Sequence, residues 1–241
     1  EVEQINVEDM IKDEDMVVMV SRLGYIKRIS TSKYKKQGRG GTGSNSTNLI
    51  EDDYIKQLFI GSTKDYLLFI TNLGKAYWIR LHEIPESEKT SRGSHIKGLL
   101  QVGPDEEITT IVSLKEFSDT QYLFMITSNG IVKKVRTTEF ANAKTRGIIG
   151  IKLNDNDKLI SAIQTDGSSD VMLITRRGKA LRINENSVRS MGRASCGIKG
   201  MKLAEGDEIT SAVKVEDDSN IILVTERGHG KRISFDLFNN H

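Results

Sequence analysis

Five times along the chain a short, unbroken apolar run ends in Ser or Thr, and three residues later comes Gly. The runs occupy residues 17–20, 67–70, 123–126, 171–174 and 221–224. The glycines that follow, Gly24, Gly74, Gly130, Gly178 and Gly228, are spaced by 50, 56, 48 and 50 residues. Continuous apolar stretches of this length, rich in β-branched residues, predict strands buried on both faces. Each Gly predicts a tight turn with positive φ, where a Cβ would be strained. The segments after the turns alternate, as in Tyr25-Ile26-Lys27-Arg28-Ile29 and Ile131-Val132-Lys133-Lys134-Val135. These read as return strands with one apolar and one basic face.

Two further motifs complete the repeat. One is Arg146-Gly147-Ile148-Ile149-Gly150-Ile151-Lys152, matched by Gly197-Ile198-Lys199-Gly200-Met201-Lys202 with Arg193 ahead of it. The other is Asp157-Lys158-Leu159-Ile160-Ser161-Ala162, matched by Asp207-Glu208-Ile209-Thr210-Ser211-Ala212. About four strands per roughly 50 residues, repeated, is the signature of propeller blades. The prediction is an all-β, propeller-like fold of five to six four-stranded blades. It forms one domain over 1–241, with repeats at 1–62, 63–113, 114–165, 166–215 and a partial 216–241. Two packed sandwiches are the structural alternative. The fifth unit stops after Phe238, before its Arg/Gly motif, so either a strand-like segment at 4–11 completes the ring or a further blade does.

Composition narrows the function classes. With 37% hydrophobic and 28% charged residues the chain is of ordinary globular type. No apolar run approaches the roughly 18 residues of a membrane span, and the acidic start at Glu1 is unlike a signal peptide. A single cysteine, Cys196, excludes an internal disulfide framework and fits a reducing cytoplasm. Net charge is only +2, but it is unevenly distributed. Residues 16–43 hold seven basic and no acidic side chains, 128–152 six against one, and 171–203 eight against one. Between them the sign reverses: 153–170 hold one basic against four acidic, and 204–220 one against six. A basic excess in the same phase of each repeat lands at the same place on every blade. Such a belt suits a curved polyanion, since phosphate neutralisation releases counterions without reading sequence. For any one Lys or Arg, decoration of a solvent-facing strand explains the residue equally well.

The segment Gln37-Gly38-Arg39-Gly40-Gly41-Thr42-Gly43 resembles the basic Gly-rich box in the first blade of gyrase A C-terminal domains. Gln37, Arg39, Gly40, Gly41 and Gly43 match; Gly38 and Thr42 replace an Arg and a Lys of the family pattern, and Lys33, Lys35 and Lys36 stand just upstream. The degenerate repeats extend the resemblance over nearly the whole chain. It implies a β-pinwheel that wraps duplex DNA around its rim, while an attached catalytic core passes a second segment and introduces negative supercoils at the expense of ATP. Implied partners are double-stranded DNA, the gyrase A N-terminal core and gyrase B in a heterotetramer. ATP and Mg would act elsewhere in that assembly, with no cofactor in this chain. The implied location is the cytoplasmic nucleoid, with no membrane contact and a monomeric isolated domain. The box glycines would bring backbone N–H groups to a phosphate and Arg39 would add a forked donor. The belt comprises Lys27, Arg28, Lys33, Lys35, Lys36, Arg80, Arg92, Lys133, Lys134, Arg136, Arg146, Lys179, Arg182, Arg193, Lys199, Lys231 and Arg232.

Other motifs fall away. Gly38 to Gly43 also fits a dinucleotide GxGxxG pattern, but a poor helix start follows it. The four histidines are scattered, without zinc spacing, and no nucleophile–base set stands out. Trp78 takes the place held by Arg28, Lys134, Arg182 and Arg232 in other repeats, where it packs on a blade face or lies against DNA. Three readings stay open: a gyrase wrapping domain, its topoisomerase IV counterpart, and a propeller that binds an acidic protein.

Overall fold

The computed structural model describes residues 7–34, 49–216 and 218–238. The first repeat contributes β1 (Asp15–Ser21), β2 (Tyr25–Ser30) and β3 (Ile55–Ser62). The second contributes β4 (Tyr66–Thr71), β5 (Lys75–Arg80), β6 (Ser94–His95) and β7 (Ile108–Leu114). The third contributes β8 (Tyr122–Thr127), β9 (Ile131–Arg136), β10 (Ile148–Ile149) and β11 (Leu159–Thr165). Then follow β12 (Asp170–Thr175), β13 (Ala180–Asn184), β14 (Ile198–Lys199) and β15 (Ile209–Lys214), and a last hairpin of β16 (Asn220–Val224) and β17 (Gly230–Ser234). The described residues contain no α-helix, only short 3-10 turns. The fold is all-β and propeller-like.

Each hairpin turns as its sequence predicts. Gly24, Gly74, Gly130, Gly178 and Gly228 all have φ between +77° and +88°, a region that favours glycine. The Ser or Thr three residues before each Gly accepts a hydrogen bond from the N–H four residues on, at 3.1–3.2 Å in all five copies. A polar side chain at the end of an apolar strand therefore closes the turn.

Strand order reveals one departure. The sheets run β3-β1-β2-β6, β10-β5-β4-β7 and β11-β8-β9-β14, with a three-stranded β13-β12-β15 and the two-stranded β16-β17. In the three complete sheets, the strand next to the hairpin's return strand comes from the following repeat. Thus β6 pairs Tyr25 with His95, and β14 pairs Val132 with Ile198. A blade is not a unit of four consecutive strands: the Arg/Gly motif is exported to its predecessor. After its 3-10 turn the chain runs alongside the preceding blade, with Ser87 N–H donating to Arg28 O and Met191 N–H to Lys134 O. Residues 7–10 form a 3-10 turn, where the sequence pattern predicts a strand.

The chain divides into two compact units: 1–70 with 76–116 and 143–148, and 71–75 with 117–142 and 149–241. In the first, Met16, Val18 and Val20 pack with Leu67, Phe69, Ile79 and Ile111. In the second, Phe124 and Ile126 pack with Val171 and Leu173, while Met172 points the other way, to Ile221 and Phe235. Alternate residues of one strand serve two cores, which is why the runs are apolar without a break.

Candidate nucleic-acid interface

The exported segments decide which basic residues reach the surface. On β2 and β9, Lys27 and Lys133 occupy equivalent positions, opposite Met19 and Met125. Both are buried, Lys27 at 2% and Lys133 at 0% exposure. Lys27 Nζ donates to Lys89 O and Ser91 O, each at 2.7 Å. Lys133 Nζ donates to Gly150 O at 3.0 Å, Ser195 O at 2.9 Å and Arg193 O. Lys134, 7% exposed, donates to Glu185 O at 2.9 Å, with the Glu185 carboxylate 3.9 Å away. These three lysines therefore leave the belt. The basic face of the return strand is not a solvent face, because the next repeat's segment lies over it. Burial pushes the Lys27 ammonium below its ordinary pKa and takes Lys133 down to about 8.

A second group is engaged at the surface. Arg28 Nε donates to Ile84 O. Arg182 pairs with Asp170 at 2.7 Å and reaches Phe235 O at 3.3 Å. Arg80 pairs with Glu8 at 3.0 Å and lies 3.6 Å over the Tyr66 ring. Arg193 donates to Ile149 O at 3.0 Å, with Glu139 3.7 Å away. Lys33 sits between Glu88 at 3.1 Å and Glu86 at 3.3 Å, and hydrogen bonds to these carboxylates raise its pKa. Trp78 packs edge-on against Tyr66, ring centres 4.9 Å apart, on the blade face.

The third group is exposed: Arg92, Arg136, Arg146, Lys179, Lys199, Lys231 and Arg232. The Arg92 guanidinium stands 5.5 Å over the Tyr25 ring. Arg92 and Arg146 each precede the glycine that opens an exported strand. Lys35, Lys36 and the box residues Gln37, Arg39, Gly40, Gly41 and Gly43 lie outside the described residues.

Sequence reasoning missed a row. Ile96, Ile151 and Met201 donate their N–H groups to Gly24 O, Gly74 O and Gly130 O, at 2.8, 3.2 and 3.2 Å. The next residue in each case is a lysine, Lys97, Lys152 or Lys202, and all three are exposed. An apolar residue followed by Lys, just after the exported strand, was the available signal. The acidic phase is partly internal: Asp157 and Asp207 are buried, at 7% and 9% exposure. Among the described residues, no cluster of three or more His, Cys, Asp or Glu side chains is placed to hold a metal.

Comparison with known proteins follows the same repeats. The profile of the family described as "DNA gyrase C-terminal domain, beta-propeller" matches residues 15–62, 65–115, 121–166 and 169–216. The DNA gyrase A protein of Treponema pallidum (strain Nichols) is 55% identical over 195 residues, covering 81% of this chain and 24% of that protein. The DNA gyrase A protein of Brachyspira hyodysenteriae is 42% identical over 192 residues, 80% of this chain and 23% of its own length. The chain thus spans about a quarter of these relatives. Among solved structures, a DNA gyrase A C-terminal domain superposes with TM-score 0.79 at 35% identity, over 95% of this chain and 74% of that one. The C-terminal domain of a DNA topoisomerase IV gives 0.77 at 30% identity, over 96% and 71%.

Proposed function

We propose, since this chain belongs to the family of DNA gyrase C-terminal β-propeller domains, that it binds duplex DNA without reading sequence and bends it. In a gyrase A protein it would serve as a single wrapping domain beside the N-terminal catalytic core and gyrase B, within the bacterial nucleoid. ATP and Mg belong to that larger assembly, and this chain contributes electrostatics, not bond chemistry. The observation that carries the reading is the recurrence of exposed cations around each exported strand: Arg92 and Lys97, Arg146 and Lys152, Lys199 and Lys202. Bending is costly, roughly 1–6 kcal/mol for 40–90° over 20–30 bp. A set of contacts repeated in register offsets that cost; one patch does not. Such contacts position the duplex, and its deformability supplies any sequence preference.

The test is an electrophoretic shift with a duplex of about 150 bp, one persistence length, across a salt series. Six phosphate contacts give a log–log slope of about −5, on the order of a thousandfold loss between roughly 50 and 200 mM salt. No shift at low salt would sink the reading.

A second reading, the topoisomerase IV counterpart, draws support from the comparable structural likeness and from Gly38 and Thr42, which leave the box two charges short. That domain would bind DNA but wrap it little. Change of linking number in relaxed plasmid treated with a nicking-closing enzyme separates the two.

A further inference from the structure

We propose that Lys27 and Lys133 are positioning residues: each latches the exported segment of the following repeat and so fixes where that segment's exposed cations stand. The claim about cations rests on the DNA-binding reading above; the latch itself does not.

The two sites repeat in detail. Lys27 takes the carbonyls four and two residues before Gly93, those of Lys89 and Ser91. Lys133 takes the carbonyls four and two residues before Gly197, those of Arg193 and Ser195. In both, the glycine is pressed onto the lysine's own strand. A Cβ on Gly93 would stand 2.4 Å from Ile26 O and 2.8 Å from Lys27 Cβ; on Gly197, 2.6 Å from Val132 O and 3.1 Å from Lys133 Cβ. Directly after Gly93 comes β6, followed by Lys97, and directly after Gly197 comes β14, which contains Lys199 and is followed by Lys202. Lysine and glycine thus act as a pair, one drawing the loop in and the other letting the backbone approach.

The intervening repeat shows what replaces the latch. Tyr77 holds the same register, opposite Phe69, and is fully buried. Its ring fills the space beside Gly147, where a Cβ would come within 2.3 Å. There the carbonyls four and two residues before the glycine take backbone donors, Ala143 O from Gly147 N–H at 2.9 Å and Thr145 O from Gln101 N–H at 3.0 Å. The Tyr77 ring stands where the other two repeats place the ammonium.

A charged group under a loop also gives the latch a pH signature. Burial depresses the Lys133 pKa to about 8; Cys196 and Glu139 act to raise it and Arg193 to lower it. In an opened segment the lysine returns to its ordinary value near 10.5. Closing therefore becomes more favourable as pH rises from about 8 toward 10.5, because the burial penalty falls on the charged form alone and the neutral amine still donates.

Amide hydrogen exchange on the whole chain tests this. Lys133→Met should lower protection about tenfold or more at Met191 and Lys152, whose N–H groups bond to Lys134 O and Ser195 O, while the β1–β2 hairpin keeps its protection. Lys27→Met should do the same at Ser87 and spare β8 and β12. In the unsubstituted chain, protection corrected for intrinsic rates should rise with pH above about 8, and Lys133→Met should abolish that rise. Lys133→Gln, which keeps two N–H donors, carries the test if the methionine variant does not fold. In the presence of a duplex, Lys133→Met should reduce bending read by end-to-end energy transfer more than it reduces affinity. Protection lost evenly across the chain, or no local loss, overturns the latch. Local loss with bending unchanged overturns the positioning role. If the unsubstituted chain binds no duplex, the DNA reading and the positioning role fall, and the exchange pattern still decides the latch.

Discussion

Asp207 closes a turn that it does not belong to. Its Oδ1 accepts the Arg177 N–H at 3.2 Å, thirty residues back, and the Glu208 N–H at 3.0 Å. Asp157 does the same for Asn129 and Lys158, and Asp53 for Leu23 and Tyr54. In three repeats a carboxylate thus ties the hairpin tip to the closing strand, so part of what reads in sequence as an acidic zone is turn chemistry. Burial pushes the Asp207 pKa up, but hydrogen bonds from the Thr175 side chain and two backbone N–H groups, with the nearby Arg177 charge, bring it below the ordinary carboxylate value. Because the folded value is depressed, its stabilisation is present above the unfolded carboxylate pKa and is lost as pH falls through the folded one. Thermal unfolding from about pH 6 down to about 2 should show a smaller acid-induced drop in Asp207→Asn than in the unsubstituted chain; identical profiles would deny Asp207 this role. At this scale the sequence was legible where a residue's role is local, as with the turn glycines. It was not legible for Lys27 and Lys133, since alternation along a strand tells which side a residue takes but not what covers that side.

Strands show the same division between local and distant causes. The hairpins could be read because apolar run, hydroxyl and glycine all lie within about a dozen residues of each other. The export of β6, β10 and β14 could not, because two-residue strands such as Ile148–Ile149 and Ile198–Lys199 carry no period, and their partner depends on the path of the chain between repeats. The fifth hairpin looks like the others in sequence but differs in surroundings: Ile221 is 7% exposed, whereas Ile222 is 67% and Val224 69%. Buried Met172 faces Ile221 and Phe235. Met172→Ala should therefore cost about 2–5 kcal/mol, whereas Ile222→Ala should stay within about 0.5 kcal/mol. Urea unfolding of both variants checks this, and comparable losses would mean that the two faces of the last hairpin have been misassigned.

Over the whole molecule, a net charge of +2 says little about affinity for a polyanion; the phase of the charges says more. Exposed cations recur at the Arg/Gly motif, as at Arg92, Arg146 and Lys199, whereas several members of the belt are internal or engaged, and the exposed Lys97, Lys152 and Lys202 lie outside it. Buried lysines pack between repeats, and under the proposed DNA-binding reading the exposed ones would meet phosphate, so the same residue type would have two uses a few positions apart. The most direct test of the central claim is the linking number of relaxed plasmid closed in the presence of this chain, compared with the triple variant Lys97→Ala, Lys152→Ala, Lys202→Ala. The account expects a handed change that grows with the amount of unsubstituted chain and is largely lost in the variant. No change with the unsubstituted chain, or an equal change with both, would contradict it.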